Sequence, residues 1–427
     1  MRSPYPQPGL YREDLYLLPT PALVTGVPVF IGHLPTLPAN LAPNTPLLLT
    51  QTSPVAAVVD GGVSGGSPLS KSSYAPCAIT HRDDHQLPAL CRAGFFENGG
   101  RTCYVLFLPA LTLEALQAGL AALESLNTLD LICAPDIMRL SAPELILQMQ
   151  LALLEHCDRL GDRFAILDSL PLTRATSAPA LAAVAHQCQT LQRQSAHSPN
   201  GALYTPWLEV EKTPVGLTQP ISAQPMPTAA AIAIPPCGHI AGLYAQGDRA
   251  VGVHHAPANQ PVEGLLDVAV DLSPPAQRTL NADPELAAIN CLQALPGRGI
   301  RVWGAHTLSD DSAWRYINVR RLVITIGRWL ERNLADAAFE PNDFRLWVRL
   351  EREISAYLEG LFNQGAFRGS TPQDAFYVKC DGDTNPPESR ETGTVVTEIG
   401  ITPMLPSEVV VLRIVHGAAG VTLTTTS

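Results

Sequence analysis

Between residues 99 and 194, apolar runs of strand length alternate with longer runs of helix length, and this alternation strongly constrains the fold. The predicted strands are GGRTCYVLFLP (99–109), LDLICAPD (129–136) and RFAILDSL (163–170). The predicted helices cover 112–126, 144–160 and 178–194. Strands separated by helices pair in parallel, because a parallel crossover needs a dozen or more residues, and such crossovers are right-handed. The sequence therefore predicts a mixed α/β fold on a mostly parallel sheet.

Proline marks segments with little core of their own. The chain holds 39 prolines spread along its length, and five of them fall within residues 1–22, which predicts an extended arm with one short strand. Buried strands are predicted at 24–34 and 56–62. Small residues and prolines predict a linker over 213–231, and the glycines of 235–259 predict a series of turns.

The carboxy-terminal third predicts two amphipathic helices and then strands. Apolar residues recur at helical spacing over 320–339 and again over 344–365, where Gly365 is suited to end the helix. Strand-like runs follow at 376–380, 394–401 and 408–415.

Charge and cysteine usage exclude several classes of function. The net charge is −11, from 28 Lys and Arg against 39 Asp and Glu, so nucleic acid is not an expected partner. The nine cysteines are an odd number without a C-x-x-C spacing, which favours free thiols in a reducing cytoplasm. No apolar run approaches the roughly 18 residues of a membrane span, and the first residues lack the apolar core of a signal peptide. We expect a chain made in the cytosol that does not insert into membranes.

One motif suggests a catalytic nucleophile. Residues 62–66 spell G-x-S-x-G, in which Ser64 would be the nucleophile of an α/β hydrolase. The motif requires a helix directly after it, but SPLSKSSYAP is rich in proline and serine. A flexible loop is therefore the favoured interpretation.

A short polar cluster suggests a metal. His81, Asp83, Asp84 and His85 supply metal-capable atoms within five residues. Polar loops produce such clusters by chance, so a metal-dependent enzyme is only an alternative interpretation.

Two further patterns fail as metal sites. DGDTN (381–385) resembles the start of a calcium loop, but Pro386 replaces the required glycine and Thr392 stands where the bidentate Glu belongs, which predicts a solvated turn. His254 and His255 are adjacent, so their side chains point apart and they are not expected to share a ligand. No metal and no cofactor is expected.

Arg345, Arg349 and Arg352 follow one another at spacings of four and three on a predicted helix. This spacing predicts one charged stripe opposite the apolar face. A solvated face with local pairs, such as Arg349 with Glu353, is the competing interpretation.

Several segments follow one another in a recognisable order. In the carboxy-terminal third they are GRGIRVWGAHTLSDDSAWRYINVRRL, FEPND, LWVRLEREISAYLEGLFNQGAFRG, AFYVKCDGDTNPP and GITPMLPSEVVVLRI. Weaker matches extend the order to nearly the whole chain: PGLYREDLYLLP, GVPVFIG, FFENGG with CYVL, and PPCGHIAGLYAQGDRAVGVHHAPAN. In this order the chain resembles the sheath proteins of contractile phage tails and of related extracellular contractile injection systems.

The resemblance implies a structural machine part and no enzyme. Sheath subunits of this kind stack as six-fold rings in a helical sheath around an inner tube, and contraction drives the tube through a target envelope. The implied partners are further copies of the chain, the inner tube protein, and baseplate and tail terminator or cap proteins. The implied setting is cytoplasmic assembly into a phage tail or a phage tail-like particle, whether released or membrane-anchored.

The resemblance also implies a division of the chain. Residues 296–405 would form the α/β domain that faces the inner tube, and 23–295 the outer, inserted part. Residues 1–22 and 406–427 would be terminal arms that join neighbours by strand addition.

The resemblance assigns candidate residues to these roles. The arm strands that pair with neighbouring subunits would contain Tyr11, Leu15, Tyr16, Leu17, Val409, Val411, Leu412 and Ile414. Because a helix of the carboxy-terminal domain rests on the tube in this family, the arginines at 345, 349 and 352 become the candidate tube contact. An α/β hydrolase, a metal-dependent enzyme, and an adhesin or capsid-like shell protein are the alternatives.

Overall fold

A computed structural model represents the protein, and it describes residues 23–34, 41–51, 87–172, 178–195, 198–211, 231–281, 288–337, 340–391, 393–406, 411–417 and 420–426. The predicted amino-terminal arm, the predicted strand at 56–62, Ser64 and the cluster from His81 to His85 lie outside these ranges.

The described strands and helices are the following, numbered in chain order. The strands are β1 (Pro28–His33), β2 (Leu47–Thr50), β3 (Thr102–Leu108), β4 (Leu131–Cys133), β5 (Phe164–Asp168), β6 (Gly201–Thr205), β7 (Leu208–Glu211), β8 (Ala231–Ile234), β9 (Asp267–Val268), β10 (Ile289–Leu295), β11 (Gly299–Trp303), β12 (Phe376–Lys379), β13 (Glu398–Ile401), β14 (Val411–Gly417) and β15 (Gly420–Thr426). The α-helices are α1 (Leu87–Glu97), α2 (Leu113–Ala122), α3 (Pro143–Leu160), α4 (Ala178–Gln194), α5 (Cys237–Ala250), α6 (Pro274–Leu280), α7 (Ile317–Asn333), α8 (Phe344–Asn363), α9 (Pro372–Ala375) and α10 (Pro387–Glu391).

An eight-stranded mixed sheet forms the centre, in the order β11–β10–β6–β5–β4–β1–β3–β2. Neighbours from β10 to β3 pair in parallel, whereas the edge strands β11 and β2 are antiparallel. In the register, Phe30 of β1 lies between Val105 of β3 and Cys133 of β4. The predicted strands appear as β3, β4 and β5 and the predicted helices as α2, α3 and α4, so the α/β prediction is confirmed.

Helices cover both faces of the sheet. Val29 and Ile31 of β1 belong to the core formed with α2, α3, α4 and α6, whereas Phe30 belongs to the core formed with α1 and α5. Because successive side chains of a strand point to opposite faces, a strand buried on both sides is apolar at nearly every position. Local signals set the helix ends: the Thr112 side chain accepts a hydrogen bond from the Ala115 N–H at the start of α2.

The prediction of turns over 235–259 is wrong for its first half, where Cys237–Ala250 form α5. A Cβ atom at Gly238 would lie 2.1 Å from the carbonyl oxygen of Cys91 in α1, and one at Gly242 would lie 2.6 Å from the carbonyl oxygen of Phe95. The glycines therefore permit a close contact between two helices. Glycine costs about 1 kcal/mol relative to alanine in a helix, so local preference predicts turns, and the tertiary contact overrides it.

Helices α7 and α8 enclose a second core with the antiparallel pair β12–β13. Leu322 and Ile326 of α7 share this cluster with Ile354 and Leu358 of α8. Ile317 at the start of α7 belongs instead to the core under the central sheet. Helix α7 is thus packed into both cores.

Both predicted carboxy-terminal helices are confirmed. Helix α7 begins at Ile317, a few residues earlier than predicted. Helix α8 begins after Asp343, whose side chain accepts hydrogen bonds from the N–H groups of Arg345 and Leu346. Gly365, with φ of 83°, follows the last turn.

The predicted division at residues 295 and 296 falls in the turn between β10 and β11. Strand β11 pairs with β10 and completes the central sheet, so the first strand of the predicted tube-facing domain belongs to the sheet of the preceding region. The domain limits stay a prediction.

Candidate functional site

Helix α8 has one face in the second core and the opposite face in solvent. Leu350, Ile354 and Leu358 are buried at the spacing of four residues that an amphipathic helix requires. On the opposite face, Phe344 is 71% exposed and Val348 is 46% exposed. These two apolar side chains lie four residues apart, so they are neighbours on the helix surface, and contiguous exposed apolar area marks interaction sites.

The three predicted arginines lie on α8 but differ in their surroundings. Arg345 and Arg352 are exposed. The Arg349 guanidinium lies 2.9 Å from the carboxylate of Glu340 and 4.0 Å from that of Glu353. The structure thus contains both the stripe and the local Arg349–Glu353 pair of the competing interpretation, and it leaves Arg345 and Arg352 as the outward-facing cations of the stripe.

Phe344, Arg345, Val348 and Arg352 together form what we call the α8 outer face. Its two apolar members were not predicted from the sequence, although Phe344 and Val348 are out of register with the four-residue spacing of the buried residues and were therefore recognisable as exposed. Arginine beside apolar side chains is a common composition for protein interfaces. The α8 outer face is chemically suited to a partner that offers carboxylates around an apolar patch.

The pair β12–β13 is a second candidate surface. Phe376 and Val378 of β12 and Ile399 of β13 pack against the second core, whereas Tyr377 is 52% exposed. Each strand has four residues and, within the described ranges, pairs with one strand only. A two-stranded sheet is marginal in water, and unpaired main-chain groups at its edges are a template for a further strand.

Three of the four candidate carboxy-terminal arm residues lie on β14. Val411, Leu412 and Ile414 belong to this strand, and Val409 lies outside the described residues. Strand β14 pairs antiparallel with β15 of the same chain, with Val411 opposite Thr426. One edge of β14 is therefore paired within the chain, and strand addition to a neighbour would use the other edge.

A buried ionic cluster connects α7 to α5 and to Asp130, the residue before β4 of the central sheet. Two nitrogens of the Arg321 guanidinium lie 2.8 and 2.7 Å from the two carboxylate oxygens of Asp248, and one lies 3.4 Å from Asp130. The Arg328 guanidinium lies 3.8 Å from Asp130, and Arg321 also stacks 4.6 Å from the ring centre of Tyr244. The four charged side chains of the cluster are at most 5% exposed.

The cluster holds its parts in place through charge and main-chain contacts. Burial acts to lower the pKa of Arg321, but the carboxylates of Asp248 and Asp130 outweigh it, so the net direction is upward. Asp130 also accepts hydrogen bonds from the N–H groups of Gly26 and Val27, ahead of β1. The ion pairs therefore fix α7, the first helix of the second core, against α5 and the segment that leads into β4.

The sequence patterns that failed as metal sites are structural. The Asp381 carboxylate accepts hydrogen bonds from the N–H groups of Asp383 and Thr384, so the predicted turn is confirmed. His254 is buried and His255 is exposed.

Within the ranges that the structure covers, no three His, Cys, Asp or Glu side chains gather as a metal site. No helix in these ranges has the length and apolar character needed to cross a membrane.

Two protein families match consecutive parts of the chain. The phage tail sheath protein central domain matches residues 110–308, and the phage tail sheath C-terminal domain matches residues 309–416. A prophage major tail sheath protein of Pseudomonas aeruginosa (strain UCBPP-PA14) is 27% identical over 188 residues, which are 42% of this chain and 45% of that protein. The tail sheath protein of Vibrio phage KVP40 is 30% identical over 178 residues, 40% of this chain and 24% of that protein. The chain thus matches less than half the length of either curated relative.

Solved structures match over nearly the whole chain. A chain of the anti-feeding prophage helical sheath in the contracted state has a TM-score of 0.67 and 25% identity, covering 96% of this chain and 99% of that chain. A chain in the six-fold symmetrised baseplate of the anti-feeding prophage has the same TM-score and identity, with coverages of 95% and 98%. A chain of the contracted PVC sheath complex, an extracellular contractile injection system, shares the fold with a TM-score of 0.66 at 24% identity, over 98% of this chain and 99% of that one. The chain belongs to the contractile tail sheath protein family.

Proposed function

We propose that the chain is the structural sheath subunit of a contractile injection machine. Many copies polymerise as stacked hexameric rings around an inner tube, and contraction of the sheath drives the tube through a target envelope. The observation that carries this proposal is the match to the helical sheath of the anti-feeding prophage over 96% of this chain. In this role the chain supplies packing surfaces and catalyses no reaction, so we propose neither an enzymatic activity nor a cofactor.

The α8 outer face is the proposed contact with the inner tube. Arg345 and Arg352 supply charge that selects and orients an acidic partner, and Phe344 and Val348 supply apolar area that gains free energy on burial, about 25 cal/mol per Å². Arg349 is not proposed as a direct tube contact, because its ion pair with Glu340 holds the side chain at the side of the helix.

The terminal arms are the proposed connections between subunits. An arm strand adds to an open sheet edge through main-chain hydrogen bonds, which do not depend on the sequence of the acceptor. The β12–β13 pair is the proposed acceptor, because a third and a fourth strand would turn a marginal ribbon into a stable sheet. The arms keep neighbours joined while the subunits change their packing.

The remaining partners follow from the same function. The sheath ends on a baseplate at one side and on a terminator or cap protein at the other. Assembly takes place in the cytoplasm, and the product is a phage tail or a phage tail-like particle.

Sedimentation velocity of the purified chain over a series of protein concentrations tests the proposed function. We expect large polymers whose fraction rises with concentration. A hydrolase or a metal-dependent enzyme would sediment as a small particle of fixed size at every concentration, and that result would count against a sheath.

Reversing the charge of Arg345 and Arg352 to glutamate is expected to lower the affinity of the chain for its inner tube by about ten-fold or more, because two attractive contacts become repulsive. Co-sedimentation with the tube measures the change. The matched control is Arg193→Glu with Arg278→Glu, which makes the same charge change at exposed positions of α4 and α6. Equal loss in the two double variants would assign the effect to net charge and not to the α8 outer face.

A further inference from the structure

Three buried thiols meet between α1, β4 and the start of α5. The Cys91 thiol donates to the carbonyl oxygen of Pro235 and the Cys133 thiol to that of Cys237, so both thiols lie beside the start of α5. All three residues are fully buried. The proposed sheath function uses none of them.

The backbones around two of these thiols are unusually close. A Cβ atom at Gly238, next to Cys237, would lie 2.6 Å from the Cα atom of Cys91. The Cys91 thiol also donates to the carbonyl oxygen of Pro235, 3.6 Å away, two residues before Cys237. This approach of α1 to the start of α5 places Cys91 and Cys237 on backbone segments in close contact, and a disulfide requires backbones close to each other.

A carboxyl group lies against the same thiol. Asp168, at the end of β5, accepts a hydrogen bond from the Cys237 N–H at 2.9 Å and also contacts the Cys237 thiol. Burial raises the pKa of Asp168 to about 7, and the hydrogen bonds from Cys237 act against that rise. Burial and the charge of Asp168 both act to raise the pKa of the Cys237 thiol, so the carboxyl group favours the protonated thiol.

We propose that Cys91 and Cys237 are a redox-sensitive thiol pair that small peroxides close to a disulfide. The inference goes beyond the proposed sheath function and does not depend on it. The disulfide would join α1 to the start of α5 on one side of the central sheet.

The reaction has two steps. The sulfur of one cysteine, in the small fraction of molecules in which it has lost its proton to water, attacks hydrogen peroxide; the O–O bond breaks, and hydroxide leaves as water after protonation. The sulfur of the second cysteine then attacks the resulting sulfenic acid; the S–S bond forms, the S–O bond breaks and a second water leaves. In balance, two thiols and one hydrogen peroxide give one disulfide and two waters, and two electrons pass from sulfur to peroxide oxygen.

Burial makes this oxidation slow and restricts the oxidant. Hydrogen bonding and burial raise the pKa of Cys91 well above its ordinary value, so little thiolate is present. A small, uncharged peroxide enters a packed interior more readily than a bulky disulfide such as oxidised glutathione. The thiols would stay reduced in a reducing cytoplasm and oxidise slowly outside it.

Cys91 is the assigned partner of Cys237, and Cys133 is not. Cys133 is held within the central sheet by β1 and β5 on its two sides, and its thiol donates to the carbonyl oxygen of Cys237 at 3.9 Å. Cys91 lies on a helix that contacts α5 directly, so bond formation needs a smaller adjustment of the backbone.

Peroxide treatment of the purified full-length chain, followed by alkylation under denaturing conditions and peptide mass spectrometry, tests the proposal. We expect the loss of two alkylatable thiols, a linked peptide pair that contains Cys91 and Cys237, and recovery of both thiols with dithiothreitol. The melting temperature should rise by roughly 5 °C or more, because the link closes a long loop.

Variants separate the possible outcomes. Cys133→Ala and the matched control Cys188→Ala, a buried cysteine on α4, should leave the linked peptide unchanged. Cys91→Ala and Cys237→Ala should each abolish the linked peptide. If either variant folds poorly, the peptide mapping of the unmodified protein still tests the proposal by itself. A link through Cys133, or thiols at 91 and 237 that are still alkylatable after treatment, would overturn the assignment.

Discussion

Replacing Arg321 with methionine is expected to lower the free energy of unfolding by about 3–5 kcal/mol. The side chain is 5% exposed, and its guanidinium contacts the buried carboxylates of Asp248 and Asp130. Methionine fills a similar volume but leaves these carboxylates without their principal cation. The cost is therefore the burial of uncompensated charge, and chemical denaturation monitored by circular dichroism measures it.

The pH dependence of this loss has a defined sign. Burial raises the pKa of Asp130, while the charge of Arg321 acts to lower it, so removal of Arg321 raises this pKa further. A raised pKa in the folded state contributes stability at low pH that is lost as the pH rises through that pKa. The loss caused by Arg321→Met should therefore be larger at about pH 8 than at about pH 5.

Two further variants isolate the cause. Arg345→Met makes the same substitution at an exposed position of α8 and should change the unfolding free energy by less than about 0.5 kcal/mol. Adding Asp248→Asn to Arg321→Met removes one uncompensated charge and should recover part of the loss. An Arg321→Met protein as stable as the unmodified one at both pH values would show that the ion pairs do not fix α7.

Deleting residues 1–20 is expected to abolish long polymers while leaving the subunit folded. The proposed arm strand, with Tyr11, Leu15, Tyr16 and Leu17, lies in this segment. Its loss removes the main-chain hydrogen bonds to a neighbour, whereas the hydrophobic cores of the described residues are built from Val29 onward. Electron microscopy measures polymer length, and circular dichroism measures folding.

Replacing residues 1–20 with a glycine and serine segment of equal length is the matched control for the arm. This segment keeps the length of the chain but cannot supply the apolar residues of a strand. It should fail to polymerise as the deletion does. Filaments of normal length from either protein would contradict strand addition by the amino-terminal arm.

The central sheet could be predicted because burial on both faces leaves a strong local signal. Strands β3, β4 and β5 are continuous apolar runs, and the helices between them have clear apolar spacing. Helix α5 could not be predicted in the same way. Gly238 and Gly242 lower its local preference, and only the packing against α1 explains them.

The candidate surfaces were predictable in part. The spacing of Arg345, Arg349 and Arg352 indicated the stripe. The ion pair of Arg349 with Glu340 could not be predicted, because it depends on the conformation of the loop that precedes α8. The ionic cluster joins Arg321 to Asp130, 191 positions apart in sequence, and no local pattern signals such a pair. The position of β11 at the edge of the central sheet could not be predicted either, because an apolar run can indicate a strand but not the sheet to which that strand belongs.

Electron microscopy of the chain produced together with its inner tube protein tests the central claim most directly. If the protein acts as a contractile sheath built from many packed copies, the images should contain striated tubes of stacked six-fold rings around a narrower tube. These tubes should occur in an extended form and in a shorter, wider form. Isolated compact particles under every condition, together with turnover of a small molecule by the purified chain, would contradict that claim.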